Sequence, residues 1–510
     1  MARILRLGGN AAIFQRVFKI INKIRSVKIM YKLFEYQQNI RDKMDDYFNH
    51  GGNRLLIQAP TGSGKSVIMC DWIESVRNNN KPIYFVTHSK NLLRQFSEHL
   101  TEIGLPHGLV APGCPTLKYK VQVISAQSLM NRAHLLDEPY AVLFEEAHHS
   151  TSATFKKILD LWPHCKLAGM TATPERPDGT PLADIYDEMI LSPSVRWFID
   201  EGYLSDYEYY VPNELDTSGI HRVMGDFNKK ELDERLKQST GRIGSLVENY
   251  RKYADGKVGI AFGTSIADSE EIADRFNLAG YNMKPLHSKM SEDLYDVLND
   301  CKTGKQRLIS CCDIVGEGTD VKGLEVMLDA RPTQSLVVQM QHWGRVLRTK
   351  YATGYDLSTR EGRLAAIEAG GKKKAIILDF SSNYTRHGLP DDEREWSLKP
   401  KNKKIKEKAT LKRCPNCQRP IPVISSVCPH CGYVFTRAQT ARSPIQEKDG
   451  ELVNIKSMAE HSASDRQTII REIARRAHNQ KQAIAIGREL GLNSQGAWFI
   501  WRKILKKTGW

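Results

Sequence analysis

The chain has 510 residues, 41% apolar and 26% charged, the balance of a soluble globular protein with several domains rather than of a fibrous or disordered one. No apolar run approaches the roughly 20 residues that cross a bilayer, which excludes a transmembrane segment. A net charge of +15 points to a polyanionic partner, and ten cysteines without an even framework across the chain fit a reducing, cytoplasmic compartment.

Residues 1–34 contain no acid, and Ile13, Phe14, Val17, Phe18, Ile20, Ile21 and Ile24 fall at helical spacing opposite Arg16, Lys19 and Lys23. Such a segment suits a membrane surface or organelle import. A plain extension ahead of Met30 is the simpler reading, because the stretch lacks the serine richness of transit peptides.

The apolar run Leu55-Leu56-Ile57 closes in Ala59-Pro60-Thr61-Gly62-Ser63-Gly64-Lys65-Ser66, and a helix opens with Val67-Ile68-Met69. Strand, small-residue loop and helix in that order make a phosphate site: backbone N–H groups of Thr61, Gly62, Ser63 and Gly64 turn inward, and the helix adds its positive end. Lys65 then reaches the β- and γ-phosphates, and the Ser66 hydroxyl is offered to Mg²⁺. A second apolar run, Tyr140–Phe144, ends in Glu145-Glu146-Ala147-His148-His149, where acidic groups at a strand end suit a magnesium site. A third, Leu167–Met170, ends in Thr171-Ala172-Thr173-Pro174.

Strand-like runs alternate with helical stretches such as Val67–Val76 and Leu92–Leu100 from Tyr36 to about Tyr210. The polar stretch Asn213–Gly225 reads as a hinge, and a second alternation follows, closing near Ala375–Asp379. Inside it stands Gln341-His342-Trp343-Gly344-Arg345-Val346-Leu347-Arg348. Ligands of such sheets lie at the carboxyl ends of the strands, where these segments fall.

From Lys399 to Arg413 the chain carries a basic run interrupted only by Glu407, read either as a solvated tether or as a strap on phosphates. Cys414, Cys417, Cys428 and Cys431 follow as two Cys-x-x-Cys knuckles. Four thiolates at that spacing suit tetrahedral Zn²⁺, whose binding would supply the folding energy that so short a segment lacks. Iron takes the same ligands, and a redox disulfide is the other reading; His430 is a bystander inside the second knuckle. The tail, Asp465–Trp510, is basic and helical by pattern, with Gly491 at a turn that has the spacing of a helix-turn-helix. Trp498, Trp501 and Ile504 more simply pack a helical cap.

Taken together, these segments resemble superfamily two helicases and translocases. Leu33-Phe34-Glu35-Tyr36-Gln37-Gln38 is similar to the family's first motif, whose glutamine, here Gln37, reads the adenine edge. Ile83–His88 with Leu92–Gln95 is similar to motif Ia, Val123–Leu129 to the strand and turn after it, Glu145–His149 to motif II and Thr171–Thr173 to motif III. Ile260–Ser265 is similar to motif IV, Asp313–Asp320 to motif V and Gln341–Arg348 to motif VI. A DExH-type motif II, the leading Gln341 and the cysteine ribbon most resemble the bacterial RadD-like helicases and their phage relatives.

The resemblance implies two RecA-like parallel-sheet α/β domains in tandem, followed by a small zinc ribbon and a helical C-terminal tail. The expected division is an extension over 1–32, an ATP-binding domain over 33–210 and a helicase C-terminal domain over 211–395. A basic linker over 396–413, a ribbon over 414–435 and a tail over 436–510 complete it. The resemblance further implies ATP as substrate, with Lys65 and Gln37 binding it, Asp320 contributing from motif V, and Mg²⁺ on Ser66 and Glu145. It makes Glu146 the base, Arg345 and Arg348 arginine fingers, and His148 and Gln341 a relay between motifs II and VI. Motifs Ia, IV and V would grip a nucleic-acid backbone, DNA rather than RNA, in replication, recombination or repair. Ribbon or tail would meet a protein partner. The family usually has Asp where this chain has Glu145, which carries the charge about an ångström further out. That departure leaves an alternative, an ATP-gated DNA clamp with impaired hydrolysis.

Overall fold

The computed structural model describes residues 32–399 apart from 79–80, 150–152, 176–180, 212–218, 224–225, 239–241, 288–296, 298–299, 302 and 313–322. Beyond 399 it describes 411–413, 420–422, 427, 433–435, 453–454, 473–477, 479–490 and 501. The basic N-terminal extension, motif V with Asp320, and Cys414, Cys417, Cys428 and Cys431 lie outside the described residues.

Short, almost wholly apolar runs form strands buried on both faces, the signature of parallel sheets under helices. The first sheet holds β1 (Arg54–Gln58), β2 (Ile83–Thr87), β3 (Gly108–Val110), β4 (Val121–Ser125), β5 (Ala141–Glu145), β6 (Lys166–Thr171) and β7 (Glu188–Leu191). Their order is β3-β4-β2-β5-β6-β1-β7, every pairing parallel, which places β1, β5 and β6 side by side in the middle. Expected helices appear at Lys65–Val76 and Lys90–Glu102, the second capped by Ser89 Oγ, which accepts from Leu92 N.

The strand expected to close the first domain joins the second sheet instead. β8 (Asp206–Val211) pairs in parallel with the last long strand, Tyr209 opposite Ile377, and buries Tyr207, Tyr209 and Val211. The passage between the sheets therefore falls within 192–205 rather than at 210. The alternation up to about Tyr210 put this stretch in the first domain; nothing local says which sheet it pairs with.

After β8 come a hairpin of β9 (Arg222–Val223) and β10 (Asp226–Phe227), then β11 (Gly259–Phe262), β12 (Met283–Leu286), β13 (Leu308–Cys311), β14 (Val326–Asp329) and β15 (Lys374–Asp379). A small antiparallel pair, β16 (Leu411–Arg413) and β17 (Pro420–Pro422), flanks the first cysteine pair in sequence. β18 (Val453–Asn454) returns to the second sheet, antiparallel to β8, so the tail expected to be helical also supplies an edge strand. The order is β12-β13-β11-β14-β15-β8-β18. Helix Gln480–Glu489 packs Ala483 and Ile486 against Ile473 and Ala477.

The chain leaving the second domain runs back onto the first. Leu398 packs against the cluster containing Leu182 and Ile185, and its carbonyl accepts from Ala183 N at 3.1 Å. The linker expected from 396 thus begins as a docked segment.

Candidate active site

The loop after β1 bends through Gly62 (φ +91°) and Gly64 (φ +75°), left-handed conformations that strain any residue with a Cβ. That curl lets the helix Lys65–Val76 start directly at the loop with its N–H groups facing the phosphate position. Lys65 is buried, and its ammonium donates to the carbonyls of Ala59 (3.3 Å) and Pro60 (3.4 Å), the contacts a phosphate chain would replace. Burial pulls its pKa down, Glu146 and Glu145 push it up, and Arg348 and Arg345 pull it down again. All five charged groups therefore share one field.

β5 delivers Glu145 beside the loop because β5, β6 and β1 are neighbours. Ser66 Oγ donates to Glu145 Oε1 at 3.4 Å, and Glu145 Oε2 is buried without a hydrogen-bond partner. A hydroxyl and an orphaned carboxylate oxygen at one spot fit the hard-oxygen set of Mg²⁺. Burial raises the Glu145 pKa to about 7, opposed by Lys65 and aided by Glu146. Among the described residues no group of three or more His, Cys, Asp and Glu side chains forms a metal cage.

Glu146 sits at φ +54°, a conformation a non-glycine residue holds only where its surroundings enforce it. His148 Nδ1 lies 3.4 Å from Glu146 Oε2 and 3.1 Å from Thr171 Oγ1. Thr171 Oγ1 in turn donates to Thr173 O and accepts from Thr173 N. The end of β6 is tied to the loop as well, since Ala59 N donates to Thr171 O and Gln58 Nε2 to Ala172 O. His148 is thus brought to Glu146 and Thr171, while Gln341 Nε2 is buried without a partner and makes no hydrogen bond to His148.

From the second sheet, helix Leu336–Val346 carries Gln341 and Arg345, with Arg348 just beyond its end. A Cβ on Gly344 would fall 2.3 Å from Thr61 Cβ, and one on Gly62 would fall 3.3 Å from Arg348 Cγ. Gly344, next to Arg345, and the Arg348 side chain therefore meet the phosphate loop across the cleft between the sheets. Gln37 and Tyr36 close the other side: Gln37 Nε2 and Tyr36 OH donate to Ser63 O at 3.3 and 2.7 Å.

Two contributors lie outside the motifs, and a third, Tyr36, stands inside the first motif without a role assigned to it there. Leu204 belongs to the linker between sheets, yet its side chain would lie 3.1 Å from a Cβ at Gly62 and its backbone bridges to Arg348. Asp329, buried at the end of β14, accepts from Gln339 Nε2 and Asn383 Nδ2 beneath the arginine helix. Only the position of Asp329 at a strand end carried a signal.

Comparison with known proteins agrees with this geometry. Residues 30–176 match the family "Type III restriction enzyme, res subunit" and residues 238–350 the "Helicase conserved C-terminal domain". Residues 412–437 match "Uncharacterised protein family UPF0547". A 51.5 kDa protein of a Lactococcus phage is 28% identical over 403 residues, spanning 78% of this chain and 82% of its own length. A Saccharomyces cerevisiae protein named as the ATP-dependent helicase IRC3 is 26% identical over 65% of this chain, which spans 52% of the yeast protein. In fold, the chain superposes on a fragment assigned to the HsdR subunit of a type I restriction enzyme from Vibrio vulnificus, with a TM-score of 0.52 at 17% identity, covering 74% of this chain and 71% of that one. Two helicase halves matched in order, on two parallel sheets that meet over one phosphate loop, place the chain in superfamily two, the ATP-dependent helicases and translocases.

Proposed function

We propose that the chain hydrolyses ATP in the cleft between its two sheets and converts the cycle into movement along DNA, in the service of replication, recombination or repair. The observation that carries this reading is that Glu145 of one domain reaches Ser66 beside Lys65, while Gly344 and Arg348 of the other domain meet Thr61 and Gly62 of the same loop.

ATP phosphates would take the N–H groups of Thr61 to Lys65 and draw the Lys65 ammonium off the Ala59 and Pro60 carbonyls. Ser66 and Glu145 would hold Mg²⁺, which when bound neutralises charge on the phosphate oxygens. Glu146, held by its backbone and by His148, orients the attacking water and takes its proton. Arg345 and Arg348 stabilise the charge that develops on the transferred phosphoryl group. Because they belong to the second domain, the γ-phosphate joins the halves and its loss lets them part. Asp320, Gln341 and the grip of motifs Ia, IV and V belong to the same proposal.

DNA rather than RNA is supported by the RadD-like resemblance and by the restriction-enzyme name of the family matched at residues 30–176. Zinc at Cys414, Cys417, Cys428 and Cys431 is supported by their spacing, and a protein partner at ribbon or tail and a cytoplasmic setting complete the reading. Among the described residues no helix is long and apolar enough to cross a membrane. The clamp alternative is not favoured, since the longer Glu145 side chain already reaches Ser66.

ATP turnover measured with single-stranded DNA, duplex DNA and RNA as separate stimulants tests the proposal. Stimulation by DNA supports it, and stimulation by RNA alone reassigns the track.

A further inference from the structure

The helix bearing Arg345 ends at Val346, and the last carbonyls of a helix have no partner within it. Here they are taken by a group from far along the chain. Lys372, at the foot of β15, is 2% exposed and donates its ammonium to Val346 O at 2.6 Å and to Arg348 O. On the opposite side, Ser205 N donates to Leu347 O at 2.7 Å and Ser205 Oγ to Arg348 O at 3.2 Å. Three consecutive carbonyls, 346 to 348, are thus bound from two directions. Leu204, next to Ser205, lies where a Cβ on Gly62 of the phosphate loop would fall 3.1 Å from its side chain.

We propose that Lys372 is a positioning residue for hydrolysis, clamping the main chain of Arg348 so that its guanidinium meets the γ-phosphate. Resting on the arginine-finger reading above, the inference adds the group that aims the finger. A buried ammonium is expensive: burial drags its pKa to about 7, opposed by Glu325 and aided by Arg348 and Lys350. The Glu325 carboxylate is engaged elsewhere, accepting from Val258 N and Lys257. The hydrogen bonds that Lys372 makes are therefore to the segment of the finger. A cation at a helix C-terminus complements the dipole there and holds its open carbonyls.

The test is a cycle in the full chain: Lys372→Met, Lys372→Arg, Arg348→Ala and the double variant K372M/R348A. DNA-stimulated kcat, KM for ATP and affinity for a non-hydrolysable ATP analogue are measured together. K372M is expected to lower kcat about tenfold, the scale of an ångström-sized misplacement or less, with little change in analogue affinity. Lys372→Arg should recover part of the loss, and K372M should cost nothing further in the R348A background. Wild-type kcat in K372M, or losses that multiply in the double variant, would overturn the clamp. Wild-type kcat in R348A would instead overturn the finger reading itself. If K372M does not fold, Lys372→Ala, which likewise has no donor, carries the same cycle with the same criteria.

Discussion

Glu145 shows how one residue sets the conditions under which the site works. Its carboxyl stays protonated up to about pH 7 rather than the ordinary 4.5, because burial outweighs the pull of Lys65. The unfolded chain gives up that proton earlier, so this group costs the nucleotide-free protein stability as pH rises from 4.5 through about 7. Binding of magnesium-ATP, which requires the carboxylate, should therefore release a proton below pH 7 and weaken as pH falls. Calorimetry in two buffers of different ionisation enthalpy should show that release near pH ~6 and its loss near pH ~8; no difference between the two would place Glu145 outside the metal position. Glu145→Asp should preserve or raise turnover. Lys65→Ala should abolish turnover, while Glu146→Gln should trap the ATP-bound, nucleic-acid-bound protein, since it removes the base and leaves the phosphate contacts. Gly344→Ala sets a methyl against Thr61 and should hold the domains apart. A loss of kcat of roughly tenfold or more with ATP affinity retained is expected, and unchanged turnover would show that the cleft closes in another way.

At the scale of elements, the phosphate loop and the ends of β5 and β6 were legible because their chemistry is local: the loop's glycines and the lysine, acids and threonines beside them are adjacent in sequence. What holds the arginine helix was not legible, because its partners come from four separate segments. Asn383 Nδ2 donates to Asp329 Oδ2, Arg331 O and Gln339 Oε1, and its Oδ1 accepts from Thr333 N. Asp379 accepts from Ser381, from Asn383 N and from Tyr209 OH, which joins β8 to the same network. An isolated Asn after a strand reads as a turn residue, and a lysine at 372 reads as surface charge. Asn383→Ala leaves several buried groups unpaired and should cost roughly 2 to 4 kcal/mol in denaturant unfolding. A change under about 0.5 kcal/mol, the range of ordinary surface substitutions, would show the network to be dispensable. The pairing of β8 was missed for the same reason, since sheet membership is decided by partners that lie more than 100 residues away.

Across the whole molecule, the two sheets are tied by the 192–205 linker and by Leu398 returning to the first domain, while β18 covers the β8 edge of the second sheet. Removing residues 399–510 therefore removes β18 as well as the basic run, and leaves the β8 edge uncovered. Nucleic-acid affinity should fall with salt in proportion to the phosphates contacted, and the truncated chain should show a shallower slope. An unchanged slope would assign binding to motifs Ia, IV and V alone. The central claim is that two domains build one hydrolytic site, and the Arg345→Ala/Arg348→Ala double variant tests it most directly, because both side chains come from the domain without the phosphate loop. Measured as DNA-stimulated ATP turnover beside ATP affinity, the variant should bind ATP nearly as the wild type does and turn it over roughly a thousandfold more slowly. Turnover at the wild-type rate would contradict a shared site.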